Sequence, residues 1–326
     1  MQDQFQRQIN YLRISVTDRC NLRCLYCMPE DGVELISREE VLRWEEILKI
    51  VQSCVKAGIR KVRLTGGEPL IRLGLTAFVR QLGEIPEIDD IALTTNGILL
   101  PQYAKELKAA GLKRVNISLD TLRPERFARI TRGGSLAKVW AGVEAAVSAG
   151  LEPLKFNCVV MRGTNDDELP DFARLTLTRT FHVRFIELMP IGSSDKWAGG
   201  SRVTIPEIKE KLAELGPLLP REQVTGGGPA KYYTLPEAKG TIGFISAMSE
   251  HFCAACNRLR MTSEGKLRPC LHSKQEVDLR TPLRAGAGVD DLAAIVAQAV
   301  ARKPKQHSMV DDGWADNERV MSQIGG

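Results

Sequence analysis

Between residue 11 and about residue 190, short β-rich runs alternate with helical patterns, and this rhythm leaves few topologies open. The runs are YLRISV (11–16), KVRLTG (61–66), DIALTTN (90–96), RVNISLD (114–120), PLKFNCVVM (153–161) and HVRFIELMP (182–190). Ser37 and Glu40 have capping-box spacing. Val41, Trp44, Leu48, Val51 and Val55 then form one apolar stripe, which predicts a helix from Ser37 to near Gly58. Pro101 suits the first turn of the next clear helix and Gly111 its end, and a further helix is predicted from Ser135 to Gly150. Repeated β-α units imply parallel strands with right-handed crossovers. Six such units fall short of the eight that close the usual barrel. The expectation is an α/β fold, an open, partial, TIM-like (β/α)6 barrel.

After Pro190 the alternation fails. Residues 191–200 and 225–233 read as loops, a helix is predicted near 289–302, and the chain ends in the polar tail MSQIGG. The predicted organisation is a barrel over 1–190 and a smaller C-terminal region over 191–326, in which 191–240 carries no usable motif. With 43% hydrophobic and 26% charged residues, the 326-residue chain can bury a large core. Its net charge of +5 is too small to imply nucleic acid by itself. No run approaches the roughly 20 apolar residues that span a bilayer, and the N-terminus has no signal-like stretch. A cytoplasmic protein with no membrane or nucleic-acid partner is expected.

The cysteines stand at 20, 24, 27, 54, 158, 253, 256 and 270: two tight triplets and two isolated residues. In a chain without a secretion signal such triplets read as metal or cluster ligands, while Cys54 and Cys158 read as small buried hydrophobes. Cys20, Cys24 and Cys27 follow the first strand within eight residues. Three thiolates on a four-iron cluster leave one iron open for a substrate or cofactor; the alternative is a zinc site lacking its fourth ligand. Gly66-Gly67-Glu68-Pro69 follows the second strand, where paired glycines allow close backbone approach and Glu68 can accept from an ammonium. Thr94, Ser118, Asp120, Lys155 and Met189 lie on or near the other strand ends, which share one rim in a parallel β/α barrel.

Cys253, Cys256 and Cys270 enclose Arg258, Arg260, Lys266 and Arg268. The residues alone leave two readings open. One is a cluster beside cations that suit a polyphosphate; the other is a zinc knuckle completed by His251 or His272.

CxxxCxxC with Tyr26 before its last cysteine resembles the signature of the radical S-adenosylmethionine (SAM) superfamily, and GGEP resembles its motif for the SAM amino group. From YLRISVTDRCNLRCLYCMP through LTGGEPL, TTNG, NISLD and FCAACNRLRMTSEGKLRPC to Gly325-Gly326, nearly the whole chain resembles the GTP 3′,8-cyclase family of molybdenum cofactor biosynthesis. The resemblance implies two [4Fe-4S] clusters, on Cys20, Cys24 and Cys27 and on Cys253, Cys256 and Cys270. The second keeps an open iron for guanine and needs no histidine. It further implies SAM contacts at Tyr26, Gly67, Ser118 and Met189, and GTP contacts at Arg13, Arg63, Thr94, Lys155, Arg258, Leu259 and Arg260. Arg13, Arg63, Lys155, Gly325 and Gly326 are the residues it places in catalysis, with the terminal carboxylate expected near Arg63 or Arg132.

The implied reaction is that of a lyase. A deoxyadenosyl radical removes the ribose 3′ hydrogen of GTP, the carbon radical attacks guanine C8, and reduction gives 3′,8-cyclo-7,8-dihydro-GTP. The implied partners are a flavodoxin- or ferredoxin-type electron donor, the downstream cyclic pyranopterin monophosphate synthase and a possible homodimer. The rival readings are a radical SAM peptide maturase with an auxiliary cluster and, outside enzymes, a zinc-ribbon nucleic-acid module.

Overall fold

A computed structural model describes residues 1–189, 191, 200–222, 226, 228–307 and 319–325. The expected strands are present as β1 (Tyr11–Ser15), β2 (Lys61–Thr65), β3 (Asp90–Thr95), β4 (Arg114–Ser118), β5 (Lys155–Val160) and β6 (His182–Glu187). All five neighbouring pairs are parallel. Each strand stops one to three residues before its predicted end, because those residues turn away to build the rim.

The chain after residue 191 does not stay outside this sheet. It contributes β7 (Leu219–Arg221), β8 (Lys231–Thr234), β9 (Thr241–Ile245), β10 (Arg258–Met261), β11 (Lys266–Arg268) and β12 (Val277–Asp278). The order is β12-β11-β10-β1-β2-β3-β4-β5-β6-β9-β8-β7. Both flanking strands, β10 beside β1 and β9 beside β6, run parallel to their neighbours. Residues 231–233, expected in a loop, are therefore strand. Edge strands β1 and β6 carry unpaired N–H and C=O groups that must find partners, and these later strands satisfy them.

Helix α1 is Trp44–Lys56, later than expected. Ser37 and Glu40 do pair, at 3.1 Å, but only as a separate turn. The helix starts where Glu46 accepts the Arg43 N–H at 2.7 Å, and Arg284 holds that carboxylate from 238 residues away. Helix α2 is Leu75–Gly83 and α4 is Pro124–Thr131, while the helices α3 (Leu100–Ala109) and α5 (Leu136–Ser148) match their punctuation, as does the later helix Val289–Ala301, which packs on α1.

Leucine, isoleucine and valine on the outer face of the sheet form one core with the helices, and Cys54 and Cys158 are buried within it. On β1, Leu12 and Ile14 point into that core while Tyr11 and Arg13 line the inner cavity. Register sets Arg13 between Arg63 of β2 and Arg260 of β10, so three guanidinium-bearing positions stand side by side on the inner face.

Candidate functional site between two cysteine triplets

The loop after β1 carries Cys20, Cys24 and Cys27, all free and all lining one cavity. Backbone hydrogen bonds from Arg23 to Thr131 O and from Leu25 to Ile130 O fasten this loop to helix α4 (Pro124–Thr131). Arg132 donates to the carbonyls of Arg23 and Met28 and braces the same loop; the terminal carboxylate expected near it lies outside the described residues. Burial pushes the Cys20 thiol up to about 11 and Cys27 to about 12, and raises Cys24 well above its ordinary value. Buried thiols so close together favour a bound positive centre over three free thiolates.

Two carboxylates stand behind the cysteines. Tyr26 donates its hydroxyl to Asp120 at 2.8 Å, and Asp120 also accepts the Val159 N–H; burial pushes its carboxyl up to about 6. Glu68 accepts from Leu70 N, Thr95 Oγ1 and Asn96 N at 2.7–3.0 Å, and burial lifts it to about 7. The ammonium acceptor read from the sequence thus has another evident task, tying the turn after β2 to the end of β3. A Cβ on Gly67 would sit 2.2 Å from Arg19 O, so that glycine permits the first two loops to touch.

The second triplet flanks the same cavity: none of its three cysteines lines it, but Phe252, Arg258 and Leu271, their close neighbours in the chain, do. Cys253 opens a short 3₁₀ turn, Arg258 lies 3.9 Å from Cys256 Sγ, and Arg258 stacks on Phe252 at 4.8 Å. Burial alone would raise the Cys256 thiol, but Arg258 and Lys303 outweigh it and draw it to about 7. His251 and His272 pack instead against His307, the first at 3.0 Å between ring nitrogens. Among the described residues no three His, Cys, Asp or Glu converge closely enough for a single metal ion.

Between the triplets, Arg13, Arg63, Arg184, Arg258 and Arg260 line the cavity wall. Arg13 Nε, Arg63 Nε and both Nε and Nη2 of Arg184 are buried without a hydrogen-bond partner among the described residues. Burying such cations together is costly unless an anion completes the set.

Residues 14–176 match the Radical SAM superfamily model and residues 181–309 match the model described as Molybdenum Cofactor Synthesis C. The chain is 59% identical to the GTP 3′,8-cyclase of Pelotomaculum thermopropionicum and 61% identical to that of Heliobacterium modesticaldum, each over 100% of both chains. The chain belongs to the GTP 3′,8-cyclase family. Its fold is the radical SAM partial barrel, and crystalline Streptococcus suis SuiB bound to precursor peptide SuiA superposes with a TM-score of 0.62 at 13% identity, over 94% of this chain and 76% of that one. Superfamily membership implies SAM and a [4Fe-4S] cluster.

In this cyclase-family chain the cavity gathers most of the residues singled out from the sequence. Arg13, Tyr26, Arg63, Gly67, Thr94, Ser118, Met189, Arg258 and Arg260 all line it. Leu259 does not: its side chain is fully buried in the core, which leaves only its backbone to face a ligand. Lys155 lies behind the cavity wall, 5.5 Å from the Tyr232 ring, and burial with Arg184, Arg114 and Arg63 lowers its ammonium to about 6. Arg184 was missed, although a lone arginine in HVRFIE is the signal that points to it.

The tail, polar and apparently free in sequence, is packed. Met321 and Ser322 line the cavity, Ile324 is buried, and Gly325 O accepts from Arg260 Nη1 at 2.9 Å. Gly326 and Pro190 lie outside the described residues.

Proposed function

We propose that this chain is a GTP 3′,8-cyclase, a radical SAM lyase that converts GTP to 3′,8-cyclo-7,8-dihydro-GTP in the first step of molybdenum cofactor biosynthesis. One observation carries the reading: five arginines, three of them with buried nitrogens that have no hydrogen-bond partner among the described residues, line one cavity with the first cysteine triplet and with the neighbours of the second. That cavity demands an anion with several charges, as a nucleoside triphosphate provides.

In this reading Cys20, Cys24 and Cys27 hold the first cluster. A four-iron cluster bound there supplies the electron that splits SAM into methionine and a 5′-deoxyadenosyl radical. Cys253, Cys256 and Cys270 would hold a second cluster beside the Arg258 side of the cavity, and that cluster would supply an open iron for the purine. Gly67, Tyr26, Ser118 and Met189 form the SAM side, with Glu68 and Asp120 keeping the surrounding loops in place. Arg13, Arg63, Arg184, Arg258 and Arg260 grip the triphosphate and set the ribose toward the first triplet. Held in one orientation, the nucleotide reacts as if intramolecular. The tail and Phe252 exclude water from the same space.

The test is anaerobic incubation of the reconstituted protein with SAM, a low-potential reductant and GTP, followed by mass and NMR identification of the product. Formation of 5′-deoxyadenosine together with the cyclised nucleotide supports the assignment. SAM cleavage that never consumes GTP, with an intact second site, overturns it.

A further inference from the structure

Lys303 follows the helix Val289–Ala301, and only 2% of the residue is exposed. Lysine is almost never so buried without partners. Its ammonium donates to Arg258 O at 2.9 Å and to Pro269 O at 2.5 Å, and its charge helps to draw the Cys256 thiol down. These acceptors belong to both ligand-bearing segments of the second triplet: Arg258 lies two residues beyond Cys256, and Pro269 immediately precedes Cys270. Two of the three ammonium donors are thus spent on the carbonyls of these two segments.

Arg7 supports the arrangement from the N-terminus. Its guanidinium donates to Cys253 O at 2.9 Å, to Pro304 O at 2.6 Å and to Lys305 O at 3.0 Å, while Asp3 takes its Nε at 2.6 Å. The first triplet is surrounded differently: Glu68 acts on Cys20 and Asp120 on Cys24 and Cys27, with Arg23 the cation near Cys20.

We infer that Lys303 is a positioning residue of the second cluster, clamping the Cys256 and Cys270 segments together and placing a fixed positive charge against a ligand sulfur. The inference rests on the two-cluster reading above. A cluster becomes more negative when reduced, so an adjacent cation favours the reduced form and raises the reduction potential. Replacing the ammonium should therefore move the potential of this cluster to more negative values.

The experiment uses the full chain carrying Cys20→Ala, Cys24→Ala and Cys27→Ala, reconstituted anaerobically, so that only the second site can hold iron. Absence of a cluster from this background overturns the two-cluster reading itself, independently of Lys303. With the cluster present, EPR-monitored redox titration is repeated after adding Lys303→Met, Lys303→Gln or Lys303→Arg. The midpoint potential is expected to fall with Met and Gln and to stay near its starting value with Arg. Iron loss from the Met and Gln chains, with Arg retaining iron and all three keeping native circular dichroism, equally supports the clamp. A full complement of iron at an unchanged potential in both the Met and Gln chains overturns the inference, even if their unfolding temperature drops.

Discussion

Arg260 Nη1 donates to Gly325 O at 2.9 Å, which joins the last described residue of the tail to the inner face of β10. Gly325 has a φ of +69°, and a Cβ there would lie 2.9 Å from Thr65 Cγ2 and 3.2 Å from Ser15 Cβ. Both conformation and space therefore require glycine. Gly325→Val should displace the tail and suppress cyclisation while leaving both clusters and SAM binding in place. Wild-type turnover of that variant at saturating GTP would show that the tail has no part in the reaction.

Arg258 and Arg260 face the cavity beside the second triplet. Changing either to Ala should weaken GTP binding by about 1.5 to 3 kcal/mol, the range for hydrogen bonds to charged groups. SAM affinity should barely move. Calorimetric titration of each ligand checks this, and equal losses for both ligands would indicate a general disturbance of the cavity.

Arg184 offers a sharper contrast, because two of its nitrogens are buried without a hydrogen-bond partner among the described residues. Arg184→Met should leave the ligand-free chain as stable as the original or more so, since an uncompensated charge is removed from a poorly solvated place. The same change should reduce GTP affinity. A lower unfolding temperature with unchanged affinity would return Arg184 to a purely structural role.

Division of labour between the triplets predicts different failures. Cys24→Ser should abolish SAM cleavage, whereas Cys256→Ser should retain some uncoupled formation of 5′-deoxyadenosine and lose the cyclised product. The two are separated by chromatography of the reaction mixture. Complete loss of cleavage in both folded variants contradicts the division.

Lys155 gives a pH dependence whose sign follows from its surroundings. Burial and the neighbouring Arg184, Arg114 and Arg63 lower it to about 6 from an ordinary value of 10.5. Between those values the unfolded chain binds more protons than the folded one, so this group makes stability rise with pH across that window. Lys155→Met should flatten this rise. If the triphosphate draws near the ammonium, GTP binding at pH 7.5 should take up protons, measurable by calorimetry in buffers of different ionisation enthalpy. No proton uptake in the original chain would separate Lys155 from the nucleotide.

The six β-α units were legible because their signals are local: apolar runs, periodic stripes and glycine or proline punctuation act within a few residues. The same holds for the cysteine triplets, whose members are close enough in sequence to be recognised as sets. Leu259 shows the limit of carrying a motif across by position. It alternates with Arg258 and Arg260 along β10, so the pleat that turns both arginines into the cavity turns the leucine into the core.

What the amino-acid order determined by itself was the set of elements and the chemistry of their ends. Tertiary structure alone decided that β9 and β10 flank the first six strands, because strand edges accept any suitable backbone and no local pattern names a partner some 250 residues away. It also placed the start of α1, where Arg284 fixes the Glu46 carboxylate that receives the Arg43 N–H. The burial of the tail arose in the same way. MSQIGG contains little apolar surface to drive its own collapse, and only a cavity built by β1, β2 and β10 provides the cation and the side-chain-free space that hold Gly325.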